Sequence, residues 1–347
     1  MVSNNHKPPL KSAKLIKPSA EDFSGKQLDL FQSFVENDQG DHSNLIDLWD
    51  AVPKFHMDKR KQNTLRNPDG FLPTYRHNFV HKGRAYEVKI SPARIETAKG
   101  EKEYYPGTRE ELVEDALRKI ATIKNNAYLK GTRSGVSFSL YQLRQELAET
   151  GHTFSFQELQ ESLEIMSNCS ISIESIVNDE HRMKLRTSIL PNLISVTRET
   201  HKDSWAKSKW YADFAALVTE SIHNNTFRQY NYKQMMTFSS QLERWLYKRL
   251  ANNYVQASLE NSYNIKLSSI ERDSGLLQLK QLRHRMRKLN DVLDKMVESN
   301  VLLSYEANPV KEKRKLLDVH YALHPHPEFI AEVKAANLRS KRLTSKQ

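Results

Sequence analysis

Hydrophobic residues recur at helical spacing through the C-terminal half of the chain and predict one long amphipathic helix there. Between 279 and 298 an apolar residue returns every three or four positions, which is typical of a helix with one buried face. The other elements predicted for this half are a helix over 240–256, a strand over 263–267, a short helix over 268–273 with a turn at Gly275, and strands over 301–306 and 316–323 that form a hairpin. Helix, strand, helix, turn, helix and hairpin is the order of elements in a winged-helix domain.

The same order of elements is predicted once more nearer the N-terminus. A helix begins at Thr108, where Thr108 and Glu111 have the spacing of a capping box. The elements that follow are a short strand over 136–138, helices over 140–149 and 156–167, and strands over 170–177 and 183–195 joined by the polar turn 178–182. The pattern therefore predicts an α+β protein with two tandem winged-helix domains.

These patterns divide the chain into four segments. Residues 1–66 are predicted to be a flexible N-terminal region, because their first part places lysines among prolines and serines without apolar periodicity, as in a disordered tail. Residues 67–200 are predicted to form the first domain and 201–325 the second, with a linking helix within 205–225. Residues 326–347 are expected to be a basic C-terminal tail.

Charge is concentrated in the second half of the molecule. The chain of 347 residues has a formal net charge of +11 and a pI near 9.4. Residues 201–347 hold 25 Lys and Arg against 15 Asp and Glu, a surplus of 10 that accounts for nearly all of the net charge. Such a localised excess favours a surface that binds nucleic-acid phosphates over general solubilisation.

The predicted helix over 279–298 is the candidate DNA-reading element, because the second helix of a helix–turn–helix pair enters the major groove. Its early turns are basic, and no acidic residue occurs after Lys280 until Asp291. The predicted DNA-binding residues are Lys280, Gln281, Arg283, His284, Arg285, Arg287 and Lys288 on the helix and Lys311, Lys313, Arg314 and Lys315 at the hairpin tip. The polar residues of the helix, Arg285 among them, are expected to point away from the apolar stripe, where Arg suits guanine edges and Gln suits adenine edges.

The first predicted domain has a different surface. Its helix over 156–167 contains three glutamates and no Lys or Arg, so we expect it to serve dimerisation, with accessory phosphate contacts from Arg133, Lys184 or Arg186. The acidic residues of this helix and of 110–114 are expected to be solvated helix faces rather than catalytic carboxylates.

A short peptide in the N-terminal region carries a second functional signal. Gln27, Leu28, Asp29, Leu30 and Phe31 match the peptide by which bacterial proteins bind the replicative sliding clamp. The Leu-Phe pair would fill an apolar pocket while the Gln supplies hydrogen bonds. The alternative is that these residues begin the core of a domain.

Taken with this peptide, the layout of 27–323 resembles the iteron-binding plasmid replication initiators of the winged-helix class, and it is most similar to the broad-host-range TrfA-type initiators. The resemblance also includes the Trp-containing segment 48–53 and the helix over 237–254 followed by the basic segment 280–288. It implies a cytoplasmic bacterial protein that binds double-stranded origin repeats, opens an adjacent A·T-rich stretch, and recruits the host helicase, the host initiator and the sliding clamp. It also implies a monomer–homodimer equilibrium in which dimers limit plasmid copy number. Whether the melted single strand is bound stays open, and the acidic helix over 156–167 departs from a protein with two DNA-reading domains.

Several classes of function are disfavoured by the sequence. No apolar run is long enough to span a membrane, and the single cysteine, Cys169, excludes an internal disulfide and a Cys-pair zinc site. The segment 131–135 lacks the Lys-Ser/Thr of a phosphate-binding loop. We therefore expect no enzymatic activity, no cofactor and no metal.

Two other functions remain as alternatives. A transcriptional regulator could use the same two domains, but it has no need of a clamp-binding peptide. A rolling-circle nickase would require a histidine pair such as His324 and His326, but Pro325 stands where that motif has a bulky apolar residue.

Overall fold

The computed structural model describes residues 41–97, 100–123, 126–176, 182–196, 208–224 and 226–345. In these residues the helices are α1 (Asp47–Ala51), α2 (Lys59–Leu65), α3 (Thr108–Ala121), α4 (Leu140–Glu149), α5 (Phe156–Asn168), α6 (Ala216–His223), α7 (Tyr232–Thr237), α8 (Gln241–Asn253), α9 (Leu267–Ser274), α10 (Leu282–Glu298) and α11 (Pro327–Ser345). The strands are β1 (His42–Ile46), β2 (Tyr75–His81), β3 (Arg84–Ser91), β4 (Ala93–Thr97), β5 (Gly100–Tyr104), β6 (Ala127–Lys130), β7 (Arg133–Ser139), β8 (Ser170–Ile176), β9 (Arg182–Thr187), β10 (Leu193–Val196), β11 (Lys209–Asp213), β12 (Phe227–Asn231), β13 (Tyr263–Lys266), β14 (Leu302–Glu312) and β15 (Lys315–Pro325). The mixture confirms the α+β class. None of the described helices is both long enough and apolar enough to cross a membrane.

The C-terminal half contains the elements that the sequence pattern predicts. Strands β13, β15 and β14 form a three-stranded antiparallel sheet in that order, with β15 in the centre. Helices α8, α9 and α10 precede the β14–β15 hairpin, and Gly275 ends α9 in the left-handed conformation, as expected for a helix C-terminus. The hairpin strands are longer than predicted, with eleven residues each.

In the N-terminal half the order of helices is as predicted, but the strands pair differently. Strands β8 and β9 extend a sheet of order β2-β3-β8-β9, whereas β7 lies in a second sheet of order β10-β11-β7-β6. The single strand predicted over 183–195 is wrong. It is two strands in different sheets, because the chain turns between them to bury Ile189 and Leu190.

The predicted segment boundaries at 66, 200 and 325 do not divide the structure. The flexible region predicted to extend to residue 66 is wrong for its described part, since β1 pairs with β12 and Trp49 is fully buried. The boundary at 200 separates β11 from β7, although the two strands pair. The segment predicted as a tail forms α11, which buries Phe329 and Val333.

The acidic face of α3 is buried rather than solvated, which contradicts the expectation for 110–114. Glu111 accepts hydrogen bonds from Arg244 of α8 at 2.8 and 3.3 Å, and Asp115 accepts one from Lys248 at 2.6 Å. On the other side of α3, Arg118 donates to both oxygens of Asp50, at 2.7 and 2.8 Å. Buried charges are tolerated only when paired in this way. Helix α3 thus joins the segment around α1 to the C-terminal half.

The N-terminus of α3 is capped one residue earlier than predicted. The carboxylate of Glu110, not Glu111, accepts a hydrogen bond of 2.8 Å from the Gly107 N–H. Because Glu111 faces α8 instead, the predicted pair of Thr108 and Glu111 is wrong.

Candidate nucleic-acid interface

The first turns of α10 present a basic surface. The helix begins at Leu282, so Lys280 and Gln281 lie just ahead of it, with Gln281 at the N-cap position. Arg283, His284 and Arg287 are exposed on the helix itself. The Nε of Arg283 donates a hydrogen bond of 2.7 Å to the side chain of Gln281, which orders both groups at the end of the helix.

Arg285 does not belong to this surface, contrary to the prediction. It follows Leu282 by three positions and precedes Leu289 by four, so it lies on the stripe that faces the core. Its guanidinium is largely covered and forms an ion pair with Glu271 of α9. Arg285 therefore holds α10 against α9 and is not placed to read a base.

Lys288 lies where α10 meets the preceding turn. Its Nζ donates a hydrogen bond of 3.1 Å to the carbonyl oxygen of Leu276. Burial lowers the pKa of Lys288, and the neighbouring positive charge of Lys61 on α2 lowers it further. The ammonium group thus lies between two elements that are distant in sequence.

The β14–β15 hairpin ends in a basic tip, as predicted. Glu312 pairs with Lys315 across a two-residue turn, and Lys313 has the positive φ of 53° that such a turn requires. All the predicted tip residues are exposed, namely Lys311, Lys313, Arg314 and Lys315. The tip is free to approach a polyanion.

The base of the hairpin is fixed to α10. Tyr321 donates a hydrogen bond of 3.0 Å to Asn290, and Tyr305 donates one of 2.8 Å to Asp294. Leu289, Leu293 and Met296 are fully buried beneath these contacts. The helix and the hairpin are therefore held in one orientation, so that their basic ends form a composite surface.

The turn that leads into α10 is supported by the N-terminal half. His77 is hydrogen-bonded through Nε2 to the Arg272 carbonyl oxygen at 2.5 Å, and the Val80 N–H donates to Asp273 at 2.9 Å. A Cβ placed on Gly275 would lie 3.5 Å from the Cβ of His56. Burial lowers the pKa of His56 to about 3, so this ring packs uncharged against the turn.

A further basic element, α2, is not indicated by the hydrophobic pattern and falls in the segment predicted to be flexible. Asp58 caps it by accepting a hydrogen bond of 2.8 Å from the Lys61 N–H, and Lys59 and Arg60 are exposed. The available signal is local: an Asp cap directly before a run of good helix formers.

The acidic residues of α5 are engaged within the protein. Glu158 accepts a hydrogen bond of 2.8 Å from the Ser155 N–H, and Glu161 lies 3.3 Å from Arg109. Strand β4 packs against the same helix. The glutamates of α5 are therefore not a freely solvated face, contrary to expectation.

The predicted accessory contacts of this half also have partners. Arg133 forms an ion pair of 3.0 Å with Asp213, and Lys184 one of 2.9 Å with Glu174. The Nε of Arg186 donates to Ser170 at 3.0 Å. These contacts leave the composite surface of α10 and the hairpin as the most open concentration of positive charge among the predicted residues.

The other functional hypotheses concern the clamp-binding peptide and a histidine pair. The peptide Gln27–Phe31 lies outside the described residues. His324 lies on β15 with its Nε2 3.6 Å from Glu306, while the His326 N–H donates to the Val301 carbonyl oxygen. Among the described residues, no three His, Cys, Asp or Glu side chains group as a metal site would require.

Comparison with known proteins gives structural neighbours only. No protein-family model matches the chain, and no curated protein matches it. A crystal structure of domains 2 and 3 of RctB in selenomethionine form aligns with 75% of this chain and 94% of its own, at 11% identity and a TM-score of 0.47. A second crystal structure of RctB domains 2–3 aligns with 78% of this chain and 98% of its own, at 10% identity and a TM-score of 0.46. The Pi initiator protein in complex with iteron DNA aligns with 69% of this chain and 98% of its own, at 12% identity and a TM-score of 0.41.

Proposed function

We propose that this chain binds duplex DNA in a sequence-specific manner and initiates replication at an origin that carries tandem repeats. The observation that carries the proposal is the composite basic surface. Arg283, His284 and Arg287 are exposed on α10 beside a basic hairpin tip, and both elements are anchored to the same three-stranded sheet.

The proposal takes the unit from α8 to β15 as a winged-helix domain. The support is its element order together with the strand order β13-β15-β14, in which the hairpin follows the third helix. In such a domain the third helix enters the major groove and the hairpin contacts phosphates or the adjacent minor groove. The N-terminal half is proposed to be a second, modified domain of this class, in which the strand that follows α3 pairs outside the hairpin sheet.

The chemistry of the surface suits base edges and phosphates in different places. Arg283 and Arg287 can each donate two hydrogen bonds to the O6 and N7 of guanine, while Gln281 can pair with adenine. Lys280 and the hairpin tip supply charge that neutralises phosphates without reading sequence. We propose that α10 gives the specificity and the hairpin gives the orientation.

The replication step of the proposal depends on the peptide Gln27–Phe31 and on the family resemblance. We propose that the peptide recruits the bacterial sliding clamp, and that the host helicase and host initiator supply the strand opening that this chain does not drive by ATP hydrolysis. The N-terminal half is proposed to mediate a monomer–homodimer equilibrium that limits plasmid copy number.

Selection from a random duplex library tests the DNA-reading proposal without an assumed target sequence. The full chain is expected to enrich one recurrent sequence, and an Arg283→Ala/Arg287→Ala variant is expected to lose that enrichment while keeping weak binding. A library that stays random after repeated rounds with the wild-type chain would contradict the proposal.

The clamp arm is tested separately. Leu30→Ala with Phe31→Ala is expected to abolish retention on purified sliding clamp while leaving affinity for the selected duplex unchanged. Equal retention of the wild type and the variant would remove the clamp from the proposed function.

A further inference from the structure

Helix α2 is fixed in a defined position between the two halves of the molecule. Gln62 anchors it through a pair of hydrogen bonds with the Tyr105 backbone, one to the carbonyl oxygen and one from the N–H, each 3.0 Å long. Ahead of the helix, His56 packs against the turn at Gly275 that leads into α10. The helix is therefore held from both sides rather than tethered loosely.

Its two ends point toward the two helices that occupy equivalent places in the halves. Hydrogen bonds from Ser155 chiefly hold the pKa of Glu158 on α5 below its ordinary value, and the positive charge of Lys59 adds to this effect. The positive charge of Lys61 likewise acts on Lys288 of α10. Lys59 and Lys61 are thus close to the first turns of α5 and of α10, respectively.

The basic side chains of α2 are open to a partner. Lys59 and Arg60 are exposed and Lys61 is half-buried. Within the described ranges, none of these three takes part in an ion pair, in contrast to Arg133 and Lys184 of the same half. The seam between α5 and α10 therefore carries uncompensated positive charge.

We propose that α2 binds the phosphate backbone of the duplex that α10 reads, at the strand lying beside the occupied major groove. The proposal rests on the proposed function of α10. A helix inserted into a major groove is flanked by two sugar–phosphate walls, and basic groups beside it meet one of them. A phosphate contact adds salt-dependent affinity that is independent of sequence.

The test is a salt titration of DNA affinity with a matched charge control. The full-length Lys59→Ala/Arg60→Ala variant is compared with wild type by fluorescence anisotropy on the selected duplex and on a random duplex. Because this variant cannot make two of the phosphate contacts, the slope of log K against log salt is expected to fall in magnitude by about 1.8. The loss of affinity is expected to be similar on both duplexes.

The control is Lys334→Ala/Lys341→Ala, which removes the same charge from exposed positions of α11, a helix that packs on β12 and contacts the end of α8. Its slope is expected to equal that of wild type. If the α2 variant behaves like this control while an Arg283→Ala/Arg287→Ala variant loses specific affinity, the inference about α2 is wrong and the function of α10 stands. If wild type shows no salt-dependent DNA binding at all, the proposed function itself fails.

A position-specific readout separates contact from a general charge effect. Arg60→Cys can be labelled selectively with a photo-crosslinker, because the native Cys169 is 1% exposed. Crosslinking is expected at the backbone bordering the sequence read by α10. A crosslink yield no higher than that of a labelled Lys334→Cys variant would overturn the contact.

Discussion

At the scale of single residues, neighbouring arginines of α10 have different roles. Arg287 is exposed, whereas Arg285 lies on the core stripe and is paired with Glu271 of α9. The helical period of 3.6 residues separates them by about 200° around the axis. Formal charge alone therefore does not identify the residues that face DNA.

Substitution of the two arginines should have opposite consequences. Arg287→Ala is expected to weaken binding to the selected duplex more than to a random duplex, with an unchanged melting temperature. Arg285→Ala is expected to lower the free energy of unfolding by about 1 kcal/mol, because a partly covered ion pair contributes at that level. Denaturant unfolding and anisotropy on both duplexes measure these effects.

A double-mutant cycle with Glu271→Ala provides the control for Arg285. The double variant is expected to lose less stability than the sum of the two single variants, since both remove the same contact. Loss of specific DNA affinity in Arg285→Ala with wild-type stability would return this residue to the reading surface.

Most of the exposed candidates are predictable from the sequence, and the error at Arg285 has a simple cause. A stripe that includes Leu282 and Leu289 also includes Arg285, but the charge of this side chain favours exposure when only local sequence is considered. Glu111 shows the same error in the other half, since its buried partner Arg244 lies 133 positions away. Local patterns contain no information about partners at that separation.

At the scale of elements, the junction of α9 and α10 is where the N-terminal half supports the reading helix. Gly275 has a φ of 66°, and His56 and His77 lie against it. The sequence predicts this turn because glycine favours the left-handed region. The two histidines that cover it come from more than 190 positions away, so their contact is not predictable from local sequence.

Gly275→Ala should therefore affect DNA reading as well as stability. The left-handed conformation is expected to cost a residue with a Cβ about 1 kcal/mol. Because relief of this strain would shift the start of α10, affinity for the selected duplex is expected to fall more than affinity for a random duplex. Thermal melting and anisotropy give the two readouts.

Gly131→Ala is the matched control for the backbone effect. Gly131 has a φ of 56°, and a Cβ there would have no neighbour within 4 Å. This variant is expected to lose similar stability and to keep wild-type discrimination between the duplexes. Identical discrimination in both glycine variants would show that the junction does not position α10.

The strands of the N-terminal half mark the limit of element prediction. Alternation correctly indicates extended chain over most of 170–195, but it does not specify the sheet that a strand joins. Strand β10 pairs with β11, which pairs in turn with β7 some 70 residues earlier in the chain. That choice is made by long-range packing, to which periodicity is blind.

At the scale of the whole molecule, the two halves share one buried ion-pair network. Glu111 and Asp115 of α3 face Arg244 and Lys248 of α8, and Arg118 continues the network to Asp50. A partition into independent domains linked by a helix therefore does not fit the described part of the chain. We expect a single cooperative unfolding transition.

Breaking this network from one side should be costly. Lys248→Met is expected to reduce the free energy of unfolding by about 3–5 kcal/mol, because it leaves Asp115 buried with one cation fewer. Adding Asp115→Asn to this variant is expected to recover part of the loss. A change below about 1 kcal/mol in urea unfolding, or no recovery in the double variant, would mean that the network does not join the halves.

The same network predicts a loss of stability in acid. Burial opposes ionisation of Asp50, but the charge and hydrogen bonds of Arg118 outweigh it and hold the pKa at about 2, below the ordinary 3.8. The folded state therefore binds this proton more weakly than the unfolded state does, so the stabilisation is present above about pH 4 and is lost as the pH falls toward about 2. Urea midpoints of wild type and Asp50→Asn are expected to converge over this interval, and parallel curves would contradict the assignment.

The central claim is that α10 and its hairpin recognise repeated sites in duplex DNA at a replication origin. Footprinting of the wild-type chain on the DNA that flanks its gene tests this most directly. We predict several protected segments of equal length at constant spacing, all absent with the Arg283→Ala/Arg287→Ala variant. A single protected site over a promoter would point to a regulator, and uniform or absent protection would contradict sequence-specific recognition altogether.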